Sequence, residues 1–188
     1  MKSTDARVIS DAFAVIGWNK TVEQFERYFN DQTQGRREVF VAHVDSEFVG
    51  YVTVEWESTY SPFADKGIPE IVDLNVLPRF RRRGIGNALL DAAEAKIATR
   101  ADFAGIGVGM TPDYGQAQRI YPQRGYLPDG RGLTQNREPV RHDQSIVVDD
   151  STVLWFTRKL RCARIAPKSF GLHSYQPGRV HRTFGRSP

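Results

Sequence analysis

One cysteine in 188 residues, Cys162, rules out a disulfide scaffold. Four scattered histidines, His43, His142, His173 and His181, form no CxxC or HxxxH spacing with it, so no structural zinc or other metal site is expected. Long apolar runs are missing too. The most apolar stretch near the start, residues 12–18, is too short to span a bilayer and follows Asp5 and Asp11, which does not suit a secretory leader. A cytoplasmic protein without membrane contact is expected, and no internal repeat is visible.

A strong charge bias is also absent once the chain is divided. The 26 basic and 22 acidic residues give +4, but residues 161–188 hold six basic residues and no acidic one. The remainder carries 20 against 22. The basic balance therefore belongs to a tail rich in Pro, Gly and Ser, with neither strand nor helix period, which is expected to be disordered. Such a tail is either a plain solvated extension or a grip for nucleic acid. Residues 1–160 remain as one domain, long enough to bury about 70% of the unfolded chain's surface in a single core.

Within that domain, residues 4–16 place Val8, Ile9, Ala12, Phe13, Val15 and Ile16 mainly on one helical face, with Gly17 as a stop. Thr21 with Glu23 and Gln24 predicts a capped second helix that runs to about Gly35. Residues 39–44 and 48–56 read as a hairpin, residues 70–76 as a strand, residues 103–110 as another, 116–124 as a short helix and 152–160 as a final strand. Residues 129–150 read as a polar loop covering a site.

Between the strand at 70–76 and a helix marked by Ala88, Leu89, Ala92, Ala93 and Ile97 lies Pro78-Arg79-Phe80-Arg81-Arg82-Arg83-Gly84-Ile85-Gly86. Strand, glycine turn and helix form the arrangement in which unsatisfied helix N-terminal amides cradle phosphate oxygens. There is no Gly-Lys-Ser/Thr, so this is not a P-loop, and a dinucleotide fingerprint would need glycine at Leu89. An acyl-coenzyme A turn or a plain basic surface loop remains.

Arg81-Arg82-Arg83-Gly84-Ile85-Gly86 resembles the Arg/Gln-x-x-Gly-x-Gly/Ala signature of the GNAT N-acetyltransferase superfamily, and its flanks Val76-Leu77-Pro78 and Ala88-Leu89-Leu90 are similar to the family's extended pattern. Ala117, Tyr121, Gly125 and Tyr126 match a second family motif at the expected distance. The resemblance covers residues 4–160. It implies an α/β (α+β) fold with a mixed, mostly antiparallel sheet flanked by helices, the usual first strand missing or lost with an upstream start. It also implies acetyl transfer from acetyl-coenzyme A to a primary amine, without a metal.

By this resemblance Leu74, Val76, Arg81, Arg82, Arg83, Gly84, Ile85, Gly86 and Asn87 hold the coenzyme, and a backbone N–H near Val76 meets the reacting oxygen. Tyr114 departs from the family by standing where asparagine often contacts the pantetheine arm. Tyr121 would protonate the leaving sulfur, or else is a core tyrosine. Glu70, eleven residues before Arg81, is the first candidate for the base and Asp73 the second, with water as the alternative. From the residues themselves, Trp56, Tyr60 and Phe63 alternate with acids and suit the rim of a site for a small cationic amine, or else belong to a minor core. A non-catalytic acyl-coenzyme A sensor and, less favoured, a nucleic-acid-binding module stay open, as does the choice between monomer and homodimer.

Overall fold

The structure is a computed structural model that describes residues 1–160. The expected tail at 161–188, with Cys162, lies outside the described residues. Helix α1 (Asp5–Ala14) buries Ala6, Ile9 and Phe13, and helix α2 (Val22–Thr33) buries Phe25. The Thr21 hydroxyl accepts from Gln24 N–H at 3.3 Å, so the expected cap is in place, and Gly35 at φ +72° follows the helix end. Strands β1 (Arg37–Val44) and β2 (Glu47–Glu55) form the hairpin, turned by Asp45 and Ser46 at φ +49° and +68°.

A four-residue helix α3 (Ser61–Ala64) interrupts the following loop before β3 (Glu70–Val76). Then come α4 (Ile85–Ile97), β4 (Phe103–Gly109), α5 (Gly115–Gln123), β5 (Leu127–Gln135), β6 (Glu138–Pro139) and β7 (Thr152–Lys159). The sheet runs β1-β2-β3-β4-β7-β5-β6, and only β3 and β4 are parallel. No strand precedes β1 among the described residues. The Met1 amino group donates to Val39 O on that edge at 3.0 Å.

The polar segment 129–150 is not a plain loop. Residues 127–135 pair with β7, and residues 129–132 bulge out between the Pro128↔Phe156 and Leu133↔Leu154 pairs. Asp129, Gly130 and Gly132, poor strand formers, fall in the bulge, and the pairing to β7 is made by Leu127, Pro128, Leu133, Thr134 and Gln135 on either side of it.

Burial follows the two faces of the sheet. Leu89, Leu90, Ala93 and Ile97 of α4 pack on Val52, Val54, Ile71, Ala104, Ile106 and Val108, and full burial of each large side chain is worth about 1.5–3 kcal/mol. The opposite face meets α1 and α2 through Ile9, Phe13 and Phe25 over Val39, Val49 and Tyr51. Strand β4 turns Gly105, Gly107 and Gly109 toward that second face, where the rings of Phe63, Trp155 and Tyr114 lie so close that an added Cβ would approach to 2.3, 2.9 and 2.4 Å.

Candidate active site

Strands β3 and β4 pair only at Glu70↔Gly105 and Ile71↔Ile106, then part. A bulge drives them apart. Thr53 faces Val72 and Tyr51 faces Asn75, so Asp73 and Leu74 together oppose Val52, and Asp73 sits at φ +56°. An aspartate in the left-handed region costs about 1–2 kcal/mol. Side-chain contacts hold it there: its carboxylate accepts from Tyr28 Oη at 2.5 Å, Lys20 Nζ at 3.4 Å and Gln24 Nε2 at 3.4 Å. The bulge is thereby tied to α2, while Leu74 and Val76 pack on the α4 side.

The open end of the wedge leads to the glycine turn. Arg82 at φ +61° and Gly84 at φ +81° bring the chain into α4 with no side chain capping it. Its first bond runs from Ala88 N–H to Gly84 O, which leaves the amides of Ile85, Gly86 and Asn87 ahead of the hydrogen-bonded helix. A Cβ on Gly86 would meet only Val76 Cγ2, at 4.0 Å. Packing therefore does not require glycine at 86, whereas close approach of an anion does.

The arginines divide their work. Arg79 pairs with Glu47. Arg81 donates through Nε to Val76 O at 3.1 Å, its guanidinium 5.6 Å from the Trp18 ring, so it braces the turn against the segment that follows α1. The Arg83 guanidinium lies over Phe80. Arg82 and Arg83 form no ion pair among the described residues. Asn87 Oδ1 accepts from Arg124, which also holds Asp91 at 2.5 Å and the buried Glu94 at 2.6 Å, a bridge from the cradle to the C-terminal end of α5.

Two further candidates flank the wedge. Tyr121 on α5 is buried, its hydroxyl has no hydrogen-bond partner among the described residues, and burial pushes its pKa up, so it stays protonated at neutral pH. The Tyr114 ring covers Gly109 at the end of β4, and its hydroxyl donates to Asp150 at 3.1 Å. Burial, then Asp150, pushes the Tyr114 pKa up to about 12.

Glu70 lies at the closed end, 3% exposed, on the face away from α4. Its Oε2 accepts from Ser58 Oγ at 2.5 Å and from an Arg137 N–H at 3.2 Å. Burial raises its pKa against the lowering effect of Ser58 and Arg137. Glu70 and Asp73 share the α2 face of one strand, roughly 10 Å apart at about 3.3 Å per residue.

The expected aromatic rim is not there. Tyr60 and Phe63 are 2% and 1% exposed and form a third apolar cluster with Trp155, whose ring stacks on Tyr60 at 4.2 Å. Only the Tyr60 hydroxyl reaches out, to Asp129 at 2.8 Å. Trp56 packs against the α4 core under Arg100, at the far end of α4 from Gly84. Sequence reasoning missed Ser58, Tyr28, Lys20, Gln24 and Arg137. The glycines alternating along β4 were the available signal that rings lie flat on that face.

The family model for the Acetyltransferase (GNAT) family matches residues 8–126, well over half of the chain. The chain belongs to the GNAT family. An uncharacterized N-acetyltransferase of Archaeoglobus fulgidus is 39% identical over 84 residues, 44% of this chain and 55% of that protein. The chain thus matches only about half the length of this curated relative. An N-acetyltransferase from Staphylococcus aureus Mu50 superposes with a TM-score of 0.63 at 14% identity, covering 86% of this chain and 96% of that one. A ribosomal-protein-alanine N-acetyltransferase from Brucella melitensis gives 0.61 at 14%, covering 85% and 97%. An aminoglycoside 6'-N-acetyltransferase complexed with coenzyme A gives 0.57 at 16%, covering 83% and 91%. At these identities the likeness is one of fold. This GNAT chain has no cluster of three or more potential metal ligands among its described residues, and no helix there is long and apolar enough to cross a membrane.

Proposed function

We propose that this GNAT chain transfers the acetyl group of acetyl-coenzyme A to a small cationic primary amine by direct attack in a ternary complex. The observation that carries the reading is the opening between β3 and β4, which ends at the uncapped N-terminus of α4. The residues there fit the coenzyme: free amides at Ile85, Gly86 and Asn87, two arginines without ion-pair partners, and a Gly86 whose missing Cβ leaves room for an anion. Acetyl-coenzyme A supplies the thioester and a thiolate leaving group.

The chain's own residues do the rest. Amides of the α4 first turn and the charges of Arg82 and Arg83 hold phosphate. Leu74 and Val76 line the slot, and Tyr114 closes the β4 side. Removing a proton from an amine of pKa about 10.4 costs about 4.6 kcal/mol at pH 7, whereas protonating a thiolate of pKa about 8.5 gains only about 2. The base therefore carries the larger share. Glu70 takes that proton, since a desolvated carboxylate with a raised pKa is the better acceptor, and the Tyr121 hydroxyl gives one to the sulfur. With the aromatic rim gone, preference for a cation rests on the carboxylates of Glu70 and Asp73.

The test is a thermal shift with coenzyme A, followed by detection of free thiol from acetyl-coenzyme A with a panel of amines. No shift would end the proposal. A shift without thiol release would leave a coenzyme-binding protein that does not turn over.

A further inference from the structure

The carboxylate that the proposed reaction uses as its base is already covered. Glu70 Oε2 holds both Ser58 and Arg137. Ser58 is fixed, because its oxygen also accepts from Tyr60 N–H at 3.0 Å. Arg137 is held far less. It belongs to the two-residue turn between β5 and β6, where Asn136 and Arg137 have φ of +52° and +67°. Its side chain is 37% exposed, and its other contact among the described residues is the Trp155 ring at 5.2 Å.

Few other charges face Glu70. Glu55 on β2 stands opposite it and is itself held by Arg37. Strand β4 offers only Gly105, and Ser58 brings a neutral hydroxyl. Among the described residues Arg137 is the cation in hydrogen-bond contact with Glu70. A permanent Arg137–Glu70 pair would bar an amine from the base. Without any cation, burial would raise the carboxyl's pKa further and leave less of it ionised to accept a proton.

We propose that Arg137 is a resident counterion that the acceptor's ammonium displaces from Glu70, making the tip of the β5–β6 hairpin a filter for cationic primary amines. The inference rests on the acetyl-transfer reading above. With Arg137 in place Glu70 is a carboxylate. The incoming ammonium takes the guanidinium's position, an N–H bond breaks toward Glu70, and the nitrogen keeps its electron pair for attack while Glu70 becomes the neutral acid. When Arg137 returns, its charge favours the carboxylate again, and the proton leaves to water. Arg137 is a positioning residue in this cycle, and an uncharged acceptor cannot exchange with it on equal terms.

R137M keeps a side chain on Trp155 and removes the charge, whereas R137K keeps the charge. The first measurement needs no turnover: melting temperature from pH 5 to 8.5 for the parent, R137M, E70Q and the double variant. R137M should lose about 2–4 °C at pH 8 that it does not lose at pH 5, and should show no such pH-dependent loss in the E70Q background. An equal loss in both backgrounds overturns the pairing. The second measurement uses acetyl-coenzyme A with propylammonium as acceptor. At pH 8.5 the KM of R137M should fall about three- to tenfold, and the acid limb of kcat/KM should rise by about one pH unit, with R137K returning both toward the parent. An unchanged or raised KM with the acid limb in place overturns the displacement. If the parent shows no turnover at all, the acetyl-transfer reading fails, and the displacement is read from propylammonium raising the melting temperature of R137M more than that of the parent; equal shifts overturn it.

Discussion

The two ends of β3 are built by opposite rules. At Glu70 and Ile71 the strand is paired on both sides, to β2 and to β4, and the glutamate side chain is 4% exposed. Three residues on, the strand is bulged, paired to β2 alone, and the Asp73 side chain is 22% exposed. Both ends carry a carboxylate on the same face, yet their surroundings give them different chemistry. The closed end desolvates its acid and raises its pKa, as a base for amines requires. The open end ties its acid to Tyr28 and Lys20, and that tie holds the bulge that makes the slot. One strand thus provides a rigid dry end and an open end, and the bulge is the division between them.

Breaking the closed end should have the largest effect. E70Q should slow acetyl transfer at pH 7 by about 10²- to 10³-fold, measured per folded, coenzyme-saturated enzyme. The loss should shrink as pH approaches the amine's own pKa near 10.4, where solvent supplies free amine. D73N, at the open end, is the control. If D73N alone shows the converging profile, the base lies three residues along the strand; a constant ratio for E70Q across pH 6–10 would give Glu70 a binding role instead.

Filling the open end should rank second. Coenzyme A at a hundred times its Kd should stabilise the parent by about 2.7 kcal/mol. G86V should remove that stabilisation while leaving the unliganded melting temperature within a few degrees, because the new Cβ meets only Val76 at 4.0 Å. Retention of the full shift in G86V would place the phosphate elsewhere. Third comes Y121F, which keeps the buried ring and deletes the hydroxyl. Turnover should drop roughly 10- to 100-fold with coenzyme affinity little changed. Unchanged turnover, with chemistry shown to be rate-limiting, would return Tyr121 to the core.

The open end was the more legible in sequence. The turn there is set by the backbone conformation of Arg82 and Gly84 and the local run of arginines, which are properties of adjacent residues, and β3 was expected over the residues it occupies. The capped start of α2 was legible for the same reason. The closed end was not, because it is assembled from distant segments. Ser58, Glu70 and Arg137 meet only through tertiary packing, and Arg137 stands on a hairpin whose composition reads as loop. Trp56, Tyr60 and Phe63 looked like a rim because alternation with acids also describes a chain entering a minor core. The burial of Tyr60 and Phe63 was decided by the smooth glycine face of β4 and by Trp155, 92 residues after Phe63 in the chain, whereas Trp56 packs on the α4 core.

The smallest effect is one of stability, and it sharpens the comparison without a substrate. The folded-state pKa of Glu70 is raised above its ordinary value, chiefly by burial. A raised acid contributes its stability fully below its unfolded pKa, and that contribution is lost as pH climbs through the folded one. Ionising Glu70 in the folded parent is therefore penalised as pH rises, a cost that glutamine does not carry. E70Q, whose carboxamide oxygen can still accept from Ser58, should melt a degree or two above the parent at pH 8, with the gap closing toward pH 4.5. D73N should show no such rising advantage, since the Asp73 side chain is 22% exposed and its removal costs the Tyr28 and Lys20 contacts. A parent more stable than E70Q at pH 8 would mean that Ser58 and Arg137 outweigh desolvation, and that the closed end holds a settled ion pair rather than a poised base.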